Sequence, residues 1–218
     1  MGGLGGARSP PFDRMPPPRE DLDRILHDLR GPLNSMVMHV EVLKRALAED
    51  PDALASVAAI QGELARLTRM LPAAFDVLAL ERGESARVSL RALVDRALVE
   101  HRLAKVQVLD GAWPEVDGDG DLLVLAIAHL VRNALAATSA AGREDPPPRI
   151  GVETGEPGRV TLVVRDWGTG FKKTNPTVLV RLAGVGLLTV ERVARLHGGH
   201  LSFASPGDGA EVRLTLPA

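Results

Sequence analysis

Two groups of residues have types and spacings that could do chemistry. In His27-Asp28-Leu29-Arg30-Gly31-Pro32-Leu33 an imidazole stands next to a carboxylate. A neutral imidazole is a nucleophile, and Asp28 can take up its departing proton or hold the ring tautomer. Far downstream, Asp166-Trp167-Gly168-Thr169-Gly170 follows a β-like run. A carboxylate at a strand end can accept a hydrogen bond from a base amine, and glycines let backbone approach a ligand closely. Gly184-Val185-Gly186-Leu187 opens a helical run, where free N–H groups and the helix dipole favour phosphate. His129 and Asn133 lie one helical turn apart and could offer nitrogen and oxygen ligands to a magnesium–triphosphate. Taken singly, each has a commoner structural reading. A helical histidine is mostly solvated, the two glycine patterns mostly mark turns, and an amide on a helix is usually a satisfied surface group.

The elements that must position these groups fall into two kinds. Apolar residues at Leu22, Ile25, Leu26, Leu29, Leu33, Met36, Val37, Val40, Leu43 and Leu47 recur in threes and fours, which predicts one stripe on a helix over Glu20 to Ala48. Such a helix is roughly 40 Å long. Leu26, Leu29 and Leu33 then belong to the buried stripe, and His27, Gly31 and Asn34 line up on another face. Pro32 weakens the backbone ladder just after the histidine. Glu49-Asp50-Pro51-Asp52 ends this helix and offers Asp50 or Asp52 as a cap. Leu54, Val57, Ile60, Leu64, Leu67, Leu71, Phe75 and Leu78 make a second stripe, which Pro72 should kink or cost a hydrogen bond. One hairpin has little surface with which to bury two stripes. Pairing two hairpins into a four-helix bundle solves that, so a homodimer is expected, with packing onto the rest of the chain as the alternative. Near Gly83 the pattern changes. Strands are predicted at Val106 to Leu109, Arg149 to Glu153, Val160 to Arg165, His200 to Ala204 and Ala210 to Leu216, with helices over Asp121 to Ala137 and Val185 to Leu196.

Composition narrows the function classes. The 218 residues are 45% hydrophobic and 25% charged, which suits a globular protein with a sizeable core. A net charge of -2 gives no reason to expect nucleic acid or an anionic membrane as partner. The absence of cysteine excludes disulfides, thiol nucleophiles and cysteine-held metals. No run of consecutive apolar residues approaches the roughly 20 that cross a bilayer, and the Gly- and Pro-rich start has no signal-peptide core. A cytoplasmic protein is expected. The expected organisation is a disordered leader over 1–19, a helical hairpin over 20–82 and an α/β domain over 87–218.

Order adds what single motifs lack. His-Asp-Leu-Arg-Gly-Pro-Leu resembles the H-box of two-component sensor histidine kinases. The segments around Asn133, Asp166 and Gly184 resemble, in the same order, the N-box, G1 box and G2 box of the ATP-binding domain shared by histidine kinases, gyrase and Hsp90. The resemblance extends over about residues 20 to 216, including Glu191 to Gly199, where His197 is expected to be structural. It implies an α+β protein: a helical hairpin that dimerises into a four-helix bundle, followed by an α/β sandwich ATP-binding domain. It further implies ATP and Mg²⁺ as cofactors, with Asp166 reading adenine, Gly168 and Gly170 shaping the floor, Asn133 ligating the metal, and Gly184 and Gly186 approaching phosphate. The γ-phosphoryl would pass from ATP to His27, with Asp28 assisting, and then to an aspartate on a response-regulator receiver domain. The input signal would come from a separate sensor protein or from the leader.

The chain departs from the family pattern in three places. The segment between the G1 and G2 boxes, Phe171 to Ala183, is short, with Leu182 where a glycine is expected and Lys172-Lys173 read as a solvated basic pair, with phosphate contact as the alternative. His129 stands where asparagine is common, and Ala137 where a polar or basic residue often meets phosphate. Gly31 replaces the Thr or Asn that orients water for regulator dephosphorylation, so poor phosphatase activity is expected. The alternative reading is an ATP-independent dimeric histidine phosphotransferase with a degenerate nucleotide domain. A non-enzymatic dimeric scaffold is a third. A serine kinase of the anti-sigma type needs neither the hairpin nor His27.

Overall fold

The computed structural model describes residues 19–47, 49–143, 145–154, 157–171 and 185–218. The expected leader, Gly184, Leu182 and the Lys172-Lys173 pair lie outside the described residues. The chain divides into two compact units, Met1–Ala79 and Leu80–Ala218.

The first unit is a helical hairpin. Helix α1 (Arg19–Ala46) and helix α2 (Pro51–Leu78) are each continuous, α1 through Pro32 and α2 through Pro72. Asp50 is the cap of α2: its Oδ1 accepts from the amides of Asp52 and Ala53, both at 3.0 Å, and Pro51 occupies the first position, where no amide is needed. Leu33, Val40, Val57 and Leu64 form the buried seam, flanked by Leu47 and Leu71. These positions are seven apart on each helix, the spacing of a coiled-coil seam.

This corrects the single-stripe reading. Leu29 is not in the seam; it is 37% exposed, and Ile25, Met36, Val37 and Leu43 are 41–48% exposed. The apolar stripe on α1 is wide enough for two seams, and the hairpin closes one of them. His27 and Gly31 are exposed as expected.

The second unit has two layers. Strands β2 (Gln107–Val108), β4 (Arg149–Glu153), β5 (Arg159–Arg165), β7 (Glu211–Pro217) and β6 (His200–Ala204) form one sheet in the order β2-β4-β5-β7-β6. Only β2 and β4 run parallel. A smaller sheet pairs β1 (Ala86–Ser89) with β3 (Glu115–Gly118). On β5 and β7 the period-two pattern turns Val160, Leu162, Val164, Val212, Leu214 and Leu216 to the core. Helices α3 (Leu90–Glu100), α4 (Gly120–Ala140) and α5 (Val185–Leu196) supply the facing layer through Leu90, Val94, Ile127, Val131 and Val190. Outward-facing Arg213, Glu153, Arg165 and Glu211 pair across strands on the other face.

Helix α4 starts one residue earlier and ends three later than the apolar pattern suggested. Asp119 caps it, accepting from the amides of Asp121 at 3.0 Å and Leu122 at 3.1 Å. By length and composition α4 could cross a membrane, which counting consecutive apolar residues did not register. Its Leu123, Ile127, Leu130 and Val131 are buried in the unit's core, which accounts for its hydropathy. The strand expected at Val106 to Leu109 contracts to Gln107–Val108, after Lys105 takes up a positive φ of 61°.

Candidate functional site

On the hairpin, His27 and Asp28 are open to solvent, with side chains 83% and 72% exposed. The Nδ1 of His27 lies 3.6 Å from the Asp28 Oδ1, so the carboxylate faces that nitrogen of the ring. One turn on, Gly31 has open space where a side chain would stand.

On the α/β unit, four elements converge. Asp166 leaves the end of β5 and is 8% exposed. Its Oδ1 accepts from the amides of Gly168 at 2.8 Å and Ala210 at 3.1 Å. Burial raises the pKa of Asp166 above the ordinary carboxylate value, against the two amide hydrogen bonds and the Arg165 charge, which pull it down. The segment after it is tied down from three sides. Thr138 Oγ1 of α4 accepts from the Trp167 amide at 3.1 Å, Ser205 Oγ accepts from the Phe171 amide at 2.7 Å, and the Trp167 indole donates to the Pro147 carbonyl at 2.9 Å. Trp167 also lies beneath the Arg149 and Arg165 guanidinium groups, 5.3 and 4.5 Å from the ring centroid.

The two glycines of this segment are required by contact. A Cβ on Gly168 would come within 2.9 Å of the Ala137 carbonyl oxygen, so α4 packs directly on that backbone. Gly170 has φ +69° and would meet the Gly209 carbonyl at 2.8 Å. Both the conformation and the approach exclude a side chain.

Gly186, in the first turn of α5, faces α4. A Cβ there would lie 3.2 Å from the His129 Nδ1 and 3.6 Å from the Asn133 Oδ1. Burial, then the Arg132 and His101 charges, lower the pKa of His129 and keep its ring neutral at neutral pH. The Asn133 Nδ2 is buried with no hydrogen-bond partner among the described residues. A buried amide without a partner costs stability, and a ligand that completes it restores the loss. Between Asn133 and Asp166 lies a cavity of about 220 Å³ walled by Leu130, Ala137, Val164, Phe171, Leu187 and Val212.

Of the residues singled out from the sequence, Asn133 and Asp166 line this cavity, Gly170 lines the space beside it with Asp166 and Phe171, Gly168 packs on Ala137, and Gly186 lies against His129 and Asn133. His27 and Asp28 stand on the other unit, and Gly184 lies outside the described residues. The sequence reading missed Phe171 and Leu187 in the wall, and Thr138, Ser205 and Ala210 as supports. The apolar walls carry no motif, and the supports act across long chain separations.

Comparison with known proteins places this arrangement. Residues 118–218 match the family of histidine kinase-, DNA gyrase B- and HSP90-like ATPases. The sensor protein DivL of Caulobacter vibrioides is 29% identical over 219 residues, covering 91% of this chain and 28% of that protein. The sensor-like histidine kinase SenX3 of Mycolicibacterium smegmatis is also 29% identical, covering 91% of this chain and 57% of that protein. Both alignments take in the hairpin as well as the ATPase unit. Over most of its length the chain is similar to sensor histidine kinases.

Two solved structures superpose on it. A mycobacterial sensor histidine kinase, MprB, has a TM-score of 0.50 at 27% identity over 62% of this chain and 97% of that one. The ATP-binding domain of PrrB from Mycobacterium tuberculosis has a TM-score of 0.52 at 25% identity, over 62% of this chain and 98% of that one. The chain spans roughly a quarter to just over half the length of these two curated relatives.

Proposed function

We propose that the chain is an ATP-dependent histidine autokinase that phosphorylates His27 and passes the phosphoryl group to a receiver-domain aspartate. The observation that carries the ATP half is the convergence on one cavity of Asp166 and an Asn133 amide whose Nδ2 has no partner among the described residues. Asp166 uses Oδ1 to hold its own loop, and Oδ2 is left to accept from a base amine. The cavity is below the roughly 300 Å³ at which pockets for drug-sized ligands begin, so it suits a base, with sugar and phosphates extending past Asn133 towards Gly186 and the α5 N-terminus. Asn133 would supply one ligand to Mg²⁺, with phosphate oxygens and water completing the shell. When bound, the nucleotide and metal supply the phosphoryl group and neutralise its charge.

The hairpin residues supply the acceptor. With Asp28 facing Nδ1, the ring's Nε2 lone pair is the nucleophile. The new bond joins Nε2 to the γ-phosphorus as the bond to ADP oxygen breaks, and Asp28 stabilises or accepts the Nδ1 proton. Positioning and charge neutralisation provide most of the catalysis in such transfers. Exposure of His27 suits two successive encounters, with the nucleotide and then with a receiver domain in the cytoplasm. Gly31 cannot orient a water, so phosphatase activity towards the regulator is expected to be poor, and Gly31→Thr, which has room, should raise it.

The exposed residues Ile25, Leu29, Met36 and Leu43 lie four and seven apart, on a second seam beside the closed one. We take their partner to be a second copy of this hairpin, completing a four-helix bundle and the homodimer.

The test is incubation with γ-labelled ATP and Mg²⁺, comparing the wild type with His27→Gln and Asn133→Ala. Acid-labile label on the wild type that both variants lose supports the autokinase. Label reaching His27 only from a phosphorylated receiver domain, never from ATP, would replace it with the phosphotransferase. No label by either route would leave a scaffold.

A further inference from the structure

The α/β unit takes hold of the chain immediately after the hairpin ends. Helix α2 stops at Leu78, and Ala79 is its cap. From the next residue on, the backbone is pinned. Arg192 of α5 donates to the Leu80 carbonyl at 2.8 Å, and the Leu80 side chain packs against the unit's core. Arg82 donates to the carbonyls of Asp117 at 3.1 Å and Leu196 at 3.4 Å. The Gly83 amide donates to the Asp119 Oδ2 at 2.9 Å.

These anchors share one support. Asp119 uses Oδ1 to cap α4 and Oδ2 to hold Gly83, while its own amide donates to the Nε2 of His197 at 3.0 Å. The other ring nitrogen of His197 lies 2.8 Å from the Val193 carbonyl of α5. An Nε2 that accepts must lack a proton, so the Nδ1–H donates to Val193 and both ring nitrogens are used. His197 is 4% exposed, and its ring fills the space beside Gly118, where a Cβ would meet it at 2.8 Å. The histidine thereby joins the β3–α4 junction and the end of α5 to the entering chain.

We propose that Arg82, Arg192, Asp119 and His197 are positioning residues that clasp Leu80–Gly83 onto the α/β unit and confine the pivot between the two units to the residues around Ala79. This rests on the reading that the α/β unit delivers a nucleotide to His27. Releasing the clasp would free the chain as far as Ser85, the residue before β1. Six further residues add up to about 20 Å of reach. A longer, looser tether lowers the effective concentration of the nucleotide at the histidine without touching the nucleotide site.

The test uses the full chain and two independent changes. Arg82→Ala with Arg192→Met removes the side-chain donors, and a Gly-Ser-Gly insertion after Ala79 lengthens the pivot with the clasp intact. The double variant should exchange the amides of residues 80–85 faster, and both proteins should label His27 about three- to tenfold more slowly at saturating ATP. Nucleotide affinity should stay at the wild-type value, and Arg82→Lys with Arg192→Lys should recover part of the rate. Unchanged exchange, an unchanged or faster labelling rate, or weakened nucleotide binding in the double variant would overturn the clasp. A wild type that binds nucleotide but never labels His27 would instead overturn the kinase reading on which it rests.

Discussion

In the α/β unit Leu123, Ile127 and Ile150 are at most 1% exposed, whereas on the hairpin Ile25, Met36 and Leu43 are 44–48% exposed. The α/β unit closes its core with two layers of its own. The hairpin closes one seam and leaves a second open. Both units follow from regular apolar spacing, yet only one of them is complete alone. Burying a large aliphatic side chain contributes roughly 1.5–3 kcal/mol. A row of such side chains left in water is a surface that a partner could cover.

The comparison can be broken first where burial is most complete. Ile127→Ala should cost about 2–5 kcal/mol, read by denaturant unfolding, and should weaken nucleotide binding along with it. A cost near zero would mean that the core is not closed there. On the hairpin, Met36→Glu with Leu43→Glu puts charge into the open seam. Sedimentation should show the dimer of the wild type reduced to monomer, with the α/β unit unfolding as before. A wild type that is monomeric at all concentrations would remove the partner from the account.

A smaller effect comes from pH. Burial lowers the pKa of His197 below the ordinary imidazole value, with Arg82 also lowering it and the Val193 hydrogen bond and Asp119 raising it. The folded state then binds fewer protons than the unfolded state below about pH 6.5. The contribution of the neutral ring is fully present above that pH and is lost as pH falls from there towards the lowered value. Burial shifts His129 in the same direction. Unfolding of the α/β unit should become easier on acidification through this window, and His197→Gln should flatten the dependence; stability rising towards acid would contradict it. The smallest effect is expected at Gly31, which has open space on an exposed helix face. Gly31→Ala should stabilise the hairpin by about 0.5–1 kcal/mol in thermal unfolding.

What could be read from the sequence follows the same division. Asn133, Asp166, Gly168, Gly170 and Gly186 are set by local chemistry, such as a strand end, a helix face or a glycine under contact, and the fold brings Asn133 and Asp166 to one cavity with the glycines packed beside it. Helix α3 also left a readable signal, Ser89 as a cap before Leu90, Leu93, Val94 and Ala97. Phe171, Ser205 and Ala210 could not be read in this way, because their roles arise where β6 and β7 return beside the end of β5. The clasp on Leu80–Gly83 is equally silent, since its donors and acceptors come from residues 35 to more than 100 positions away. On α1, periodicity located the apolar face but could not divide it between an internal seam and an open one.

The most direct measurement is to locate the phosphoryl group. The full chain would be incubated with Mg²⁺ and ATP, digested at neutral or alkaline pH, and mapped by mass spectrometry. The account predicts one acid-labile phosphoryl group on the peptide holding His27, dependent on Asn133. A phosphoryl group on a serine or threonine, or on another histidine with His27 unmodified, would contradict it.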